Sequence, residues 1–199
     1  MRTKITILTI SLLFGQISAA QRLFVGPLRF KGHSDGERFI GRGFEIDRDG
    51  PNFEILLRPK IGEPRSFSLE FNRNSISDVV CSSRCSAVAV ATDASEWRSS
   101  QMALVTVDVA GKKRAFYYKY RKLTDRFGWI VELGAVSDDG TLVLAKCARM
   151  QPADESGVAF VQHEWVVLRV SNGSLEIVPS EAAIDEWSKH VSKAAGVEH

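Results

Sequence analysis

Histidine and cysteine are scarce in this 199-residue chain, with four of the first and three of the second. Neither is grouped at a metal-ligand spacing. Cys81-Ser-Ser-Arg-Cys85 has no second ligand pair in register, and His33 with Asp35 and Glu37 has no further ligand at a fixed distance along the chain. The oxygen-rich run Asp47-Arg48-Asp49-Gly50-Pro51-Asn52-Phe53-Glu54 fails the calcium-loop spacing, because its glycine comes too early and no glutamate closes it at position twelve. The expectation is therefore no metal and no cofactor. Signatures of the commoner enzymes are missing as well: no G-x-S-x-G elbow, H-E-x-x-H helix, phosphate loop or dinucleotide fingerprint occurs. No catalytic residue is named, and a non-catalytic role is favoured. A hydrolase, for instance one acting on carbohydrate, remains the alternative, because paired carboxylates leave no motif.

Long apolar runs are also lacking, except at the N-terminus. Met1-Arg2-Thr3-Lys4 is basic, Ile5 to Phe14 are apolar, and small residues precede Gln21. This is the pattern of a secretory signal peptide over residues 1–20, too short to cross a bilayer. The expected location is periplasmic or secreted, with no transmembrane span. Removing Arg2 and Lys4 from 26 bases leaves 24 to match the 24 acids. A chain so balanced has no global attraction to nucleic acid. Its charge is nonetheless uneven. Residues 112–126 carry seven bases and one acid, whereas residues 153–199 carry eight acids and three bases, which suits pairing between the two regions.

What the chain does have is short β-type segments. Apolar or alternating runs separated by turn residues predict strands at Leu23–Phe30, Phe39–Ile46, Phe53–Leu57, Ser66–Phe71, Ala87–Ala91 and Ala103–Val109. Further strands are expected at Ala115–Tyr120, Trp129–Val136, Thr141–Cys147, Glu164–Val170 and Ser174–Val178. Three hairpin-like units align by eye: 43–57, 103–118 and 165–178. Their turn glycines Gly50, Gly111 and Gly173 are spaced 61 and 62 residues apart. A second turn containing serine lies upstream of each, at 33–42, 82–93 and 135–147.

Ser137-Asp138-Asp139-Gly140-Thr141-Leu142-Val143-Leu144-Ala145 resembles the S-x-D-G turn joining the first two strands of a blade in many periplasmic β-propellers. Ser34-Asp35-Gly36 matches part of it, and Ser82-Ser83-Arg84-Cys85 keeps only the serine. The resemblance implies an all-β, antiparallel domain over 21–179, built of three propeller-like four-stranded repeats. Three blades do not close a ring. An open arc, half of a six-bladed homodimer, or a sandwich or barrel are the ways to finish the fold. Any open arc leaves edges that a protein dimerising through them could use. Over 180–199 an amphipathic helix is expected: Pro179 and Ser180 cap it, and Ile184, Trp187, Val191 and Ala194 form one stripe. It would cover a sheet edge or dock on a partner.

Two sets of residues stand out. Export makes a disulfide between Cys81 and Cys85 the expected pairing, with Cys147 a buried free thiol; a bridge using Cys147 is the other option. The stretch GKKRAFYYKYRKLTDRFGW, residues 111–129, is rich in bases and aromatics. Strand alternation puts Phe116, Tyr118 and Tyr120 on one face and Tyr117, Lys119 and Arg121 on the other. The candidate contact surface is Lys112, Lys113, Arg114, Tyr117, Lys119, Arg121 and Lys122, for an acidic glycan, a lipid headgroup or a protein partner. The plainer reading buries the Phe116 face and leaves a charged edge strand guarded against pairing.

Overall fold

The structure, a computed structural model, describes residues 30–31, 33–35, 38–41, 43–49, 52–70, 75–93, 101–119, 122–150 and 161–191. The expected leader, most of the Leu23–Phe30 strand, Tyr120 and Arg121 lie outside the described residues. The described chain begins with β1 (Phe30–Lys31), β2 (His33–Asp35), β3 (Arg38–Gly41), β4 (Phe44–Asp49), β5 (Asn52–Leu57), β6 (Arg65–Glu70) and β7 (Ser75–Cys81), of which β4 and β5 alternate buried apolar side chains with more exposed ones. After them come β8 (Ala87–Asp93), β9 (Met102–Asp108), β10 (Lys113–Tyr118), β11 (Trp129–Val136), β12 (Leu142–Met150), β13 (Val161–Ser171) and β14 (Ser174–Val178). The helix α1 (Ser180–Val191) follows directly.

All pairings are antiparallel, and the strands fall into three sheets. The first is β2-β3-β4-β5-β6, the second β1-β7-β8-β9-β10 and the third β11-β12-β13-β14. Each contains four consecutive strands paired in chain order, as a chain of propeller-like repeats requires; β2 and β1 are short additions at the free edges of β3 and β7. Three layers rule out a two-sheet sandwich.

Two of the expected boundaries shift. Phe39–Ile46 is two strands, folded back between Gly41 and Phe44, which pair with each other. Gly43 makes the turn possible with φ +85°, and a Cβ on Gly41 would strike the Phe44 ring. Strand β7 was not anticipated, because a register shift between Ile76 and Asp78 breaks its alternation. Asp78 uses that break: one carboxylate oxygen accepts the Val79 amide at 2.9 Å, the other the Leu133 amide of β11 at 2.6 Å, so the innermost strands of neighbouring sheets are tied together.

The second sheet is the structural centre, since both its faces are buried. Val79, Cys81, Val88, Val90, Ala103, Val105 and Val107 pack on Phe44, Ile46, Phe53, Ile55, Leu57 and Leu69 of the first sheet. From its other face Ala87, Ala89, Ala91 and Leu104 meet Leu133, Val143, Ala145, Cys147 and Leu168 of the third. Small alanines on one side allow the larger side chains opposite to approach closely. The ends of the stack are finished differently. The outward face of β3 and β4 is charged: Arg38 pairs with Glu45 and with Asp47 (3.0 Å), and Arg58 with Glu45 at 3.0 Å. Helix α1 lies on the outward face of the third sheet, where Ala183 and Trp187 pack with Leu142, Leu144, Val167 and Val178. It covers a face, not an edge as expected, and among the described residues no helix is long and apolar enough to cross a membrane.

The Pro179 carbonyl starts α1 by accepting the amides of Ala182 and Ala183 at 3.0 and 2.9 Å. Arg169 then fixes its position, reaching Glu186 at 2.7 Å and Glu176 at 2.9 Å. Lys189 and, behind it, Arg169 hold the Glu186 carboxyl below its usual range. Trp187 contributes most of the apolar contact. Trp187→Ala should lower the free energy of unfolding by roughly 3–5 kcal/mol, measured by denaturant titration. A loss below ~1 kcal/mol would mean that α1 merely rests on the sheet.

Candidate functional site

Antiparallel order places every turn after an odd-numbered strand of β3 to β13 at one end of the stack. The turns at 42–43, 82–86 and 137–141 therefore lie side by side, with the loops 58–64, 109–112 and 172–173 beside them. Hydrogen bonds join them, within the second sheet and between sheets. The Lys60 amide donates to Arg84 O (3.0 Å), the Val109 amide to Ser86 O (2.8 Å), and the Gly173 amide to Ala115 O (2.9 Å). The Ser86 hydroxyl donates to Asp138 O (2.9 Å), and the Thr106 hydroxyl to Gly140 O (2.6 Å).

Two cavities open at this end. One, of about 460 Å³, is lined by residues from all three sheets: Pro59, Lys60, Ile61, Arg84, Ser86, Val109 and Asp138. Ile61 stands 85% exposed at its rim. The Asp138 side chain is nine-tenths buried; its Oδ2 has no hydrogen-bond partner among the described residues and lies 3.9 Å from Arg84 Nε. The second cavity, of about 330 Å³, is lined by Lys112, Arg114, Thr141, Arg169, Val170, Ser171 and Asn172. Asp108 organises its rim. It accepts the amides of Ala110 (3.0 Å) and Lys112 (2.9 Å) and pairs with Arg114 at 3.4 Å.

The expected contact surface is divided by this geometry. Lys112 and Lys113 are exposed at the turn end. Arg114 is 6% exposed, so it is a buried ion-pair member and not an open contact, though its guanidinium lines a cavity. Its even number puts it on the same face as Phe116 and Tyr118, which stack at 6.1 Å and pack into the core. Tyr117 and Lys119 are exposed but lie at and just past the opposite end of β10, Tyr117 ~13 Å from Lys113 at ordinary strand rise. Lys122 is also there, paired with Asp125 at 3.1 Å. Edge position is as expected, since β10 ends the second sheet. The pairing between basic and acidic regions takes the form of Arg126, bidentate to Glu164 at 2.7 and 2.8 Å.

The alignment of glycines is corrected. Gly111 and Gly173 lie at the turn end with φ +77° and +75°; Gly50 lies outside the described residues, but Asp49 and Asn52 on either side of it pair at the opposite end. The counterpart of the serine turns in the first sheet is likewise the β3–β4 turn at Gly43, since Asp35, paired with Arg38, is at the far end, and Gly36 lies outside the described residues. The other two serine turns do correspond. Ser137 Oγ accepts the Leu142 amide at 2.9 Å, and Ser82 Oγ the Ala87 amide at 3.2 Å. Gly140 takes φ +68°, and Cys85, three residues after Ser82, takes φ +55°. Lys60, Arg84, Asp138 and Arg169 escaped the sequence reading. For Lys60, Arg84 and Asp138 the signal, position in turns on one end, required the unseen strand β7 to count correctly; Arg169 lies in β13 near that end.

Cys81, Cys85 and Cys147 are all buried thiols. Cys81 donates to or accepts from Cys85, which raises its pKa further than burial alone. No family model, curated protein or solved structure matches the chain. The fold and the turn end must therefore carry the functional reading.

Burial, with a smaller effect of Glu164, pushes the Cys147 thiol from 9.0 to about 12. The folded chain then keeps this proton in a range where the unfolded chain has lost it. This contribution to stability is present below pH 9.0 and lost as pH rises toward about 12. Unfolding titrations across that window should show a decline that Cys147→Ala diminishes, and iodoacetamide at pH 9.0 should label Cys147 only after denaturation. Rapid labelling of the folded chain would contradict its burial.

Proposed function

We propose that this chain is a non-catalytic binding module that acts outside the cytoplasm and takes an anionic ligand at the turn end of its sheets. The observation carrying this reading is the convergence of Lys60, Arg84, Lys112, Arg114 and Arg169 on the two cavities that open there. Apolar Pro59, Ile61 and Val109 beside these cations suit a ligand with a carbon framework as well as negative charge. Acidic glycans have both. The leader-like residues 1–20 support export to where such polymers occur.

The chemistry of an enzyme is less well served. Of the acids near the cavities, Asp108 is engaged by two amides and Arg114, and Asp139 accepts the Ser137 and Thr141 hydroxyls and the Thr141 amide. Asp138, which lines the larger cavity, faces Arg84 at 3.9 Å with no second carboxylate among that cavity's lining residues. A homodimer through α1 is disfavoured by the burial of Trp187 against its own sheet.

Retention on a heparin column, a sulfated polyanion, tests the location. Lys112→Glu with Lys113→Glu should elute at distinctly lower salt than the unaltered chain, with the loss ~0.2–1 kcal/mol per charge. Lys119→Glu with Lys122→Glu, equal in charge but on the far half of the chain segment, should elute nearly unchanged. Circular dichroism confirms folding of both. An equal shift for both pairs would move the contact away from the turn end.

A further inference from the structure

We propose that Cys81 and Cys85 are joined by a disulfide that replaces a carboxylate-and-glycine staple lost from the second sheet's serine turn. The two serine turns make the comparison internal to the chain. In the third sheet, Asp139 Oδ1 gathers the Ser137 hydroxyl (2.7 Å), the Thr141 amide (3.0 Å) and the Thr141 hydroxyl (2.7 Å). Gly140 then supplies the left-handed residue without strain. In the second sheet, Arg84 stands where Asp139 does, and its carbonyl and side chain point to other partners, Lys60 and Asp138. The turn lacks the carboxylate, and the Ser82 hydroxyl oxygen alone accepts the Ser86 amide (3.0 Å) and the Ala87 amide (3.2 Å). It has also lost its glycine: Cys85 holds φ +55°, a conformation that side chains with a Cβ rarely adopt.

Strain of this kind persists where something else fixes it. The Cys85 thiol is 2% exposed, faces Cys81, itself 1% exposed, and packs so closely on Gly43 that any Cβ there would overlap Sγ. Two thiols meeting inside a left-handed turn, at the junction of the first and second sheets, supply the missing constraint as a covalent bond.

The bond forms by exchange with a small-molecule disulfide such as oxidised glutathione. One Cys thiolate attacks a glutathione sulfur, giving a mixed disulfide and releasing one glutathione thiolate. The second Cys thiolate then displaces the other glutathione. The cysteines lose two protons and two electrons, and the oxidant gains them as two thiols. Burial makes both thiols inert once the chain is folded, so closure belongs to folding in an oxidising compartment.

The test refolds the full chain in a mixture of reduced and oxidised glutathione and alkylates it in denaturant. The expected product has lost two hydrogens and carries alkyl on Cys147 alone; Cys147→Ser forms the same bridge. Alkylation of both Cys81 and Cys85, or a bridge that includes Cys147, overturns the proposal. A second arm tests the replacement. Reductant should lower the thermal midpoint of the unaltered chain by on the order of 5 °C. Arg84→Asp with Cys85→Gly should be insensitive to reductant and melt above Cys85→Ala, because it restores the acceptor and relieves the strain. A midpoint at or below that of Cys85→Ala overturns the replacement.

Discussion

Burial of both faces of the second sheet is the constraint on which the rest of the molecule depends. A sheet apolar on one face needs one partner layer; β8 and β9 are apolar on both and need two. This sets the order of the stack, with the first and third sheets on either side. Each of those must then dispose of an outer face. The first makes it charged through Arg38, Glu45, Asp47 and Arg58. The third leaves Leu142, Leu144 and Val167 uncovered, and the chain returns α1 to close them. Among the described residues, three antiparallel sheets thus form a stack with both outer faces finished. Polar or helical coverage of terminal layers is how stacked repeats avoid open-ended association.

The same stacking produces the turn end. Sheets packed face to face with equal strand order bring corresponding turns together, so the cavities arise at the junctions between layers. Their cations come from elements far apart in sequence: Lys60 from the first sheet, Arg84 and Lys112 from the second, Arg169 from the third. Ion pairs with Asp108, Asp138 and Glu186 hold several of these side chains in place, which pre-organises the surface at the expense of some net charge. Exposed Lys60 and Lys112, in loops of the first and second sheets, are left to contact a ligand.

Most of the strands were legible because side chains packed on one or two layers must alternate or run apolar. Helix α1 was legible from the spacing of Trp187 and its neighbours after Pro179. Strand β7 was not, since its bulge at Asp78 interrupts the period, and the tight turn at Gly43 fused β3 with β4 in the apolar pattern. These two errors shifted the count of strands, so glycine spacing alone aligned Gly50 with Gly111 and Gly173, although Asp49 and Asn52 beside it pair at the other end. The basic character of residues 112–122 was visible, but not its division between the ends of β10. Nor was the displacement of Arg114 into a buried pair with Asp108, which depends on an antiparallel neighbour six residues away.

Native-state hydrogen exchange tests the central role of the second sheet most directly, because protection reports which amides open only with the whole molecule. The account predicts that the slowest amides belong to β8 and β9, exchanging by global unfolding, while β5 and β13 open sooner and α1 sooner still. If β13 or β5 retained its amides longest while β8 and β9 exchanged early, the second sheet would not be the layer that holds the other two together.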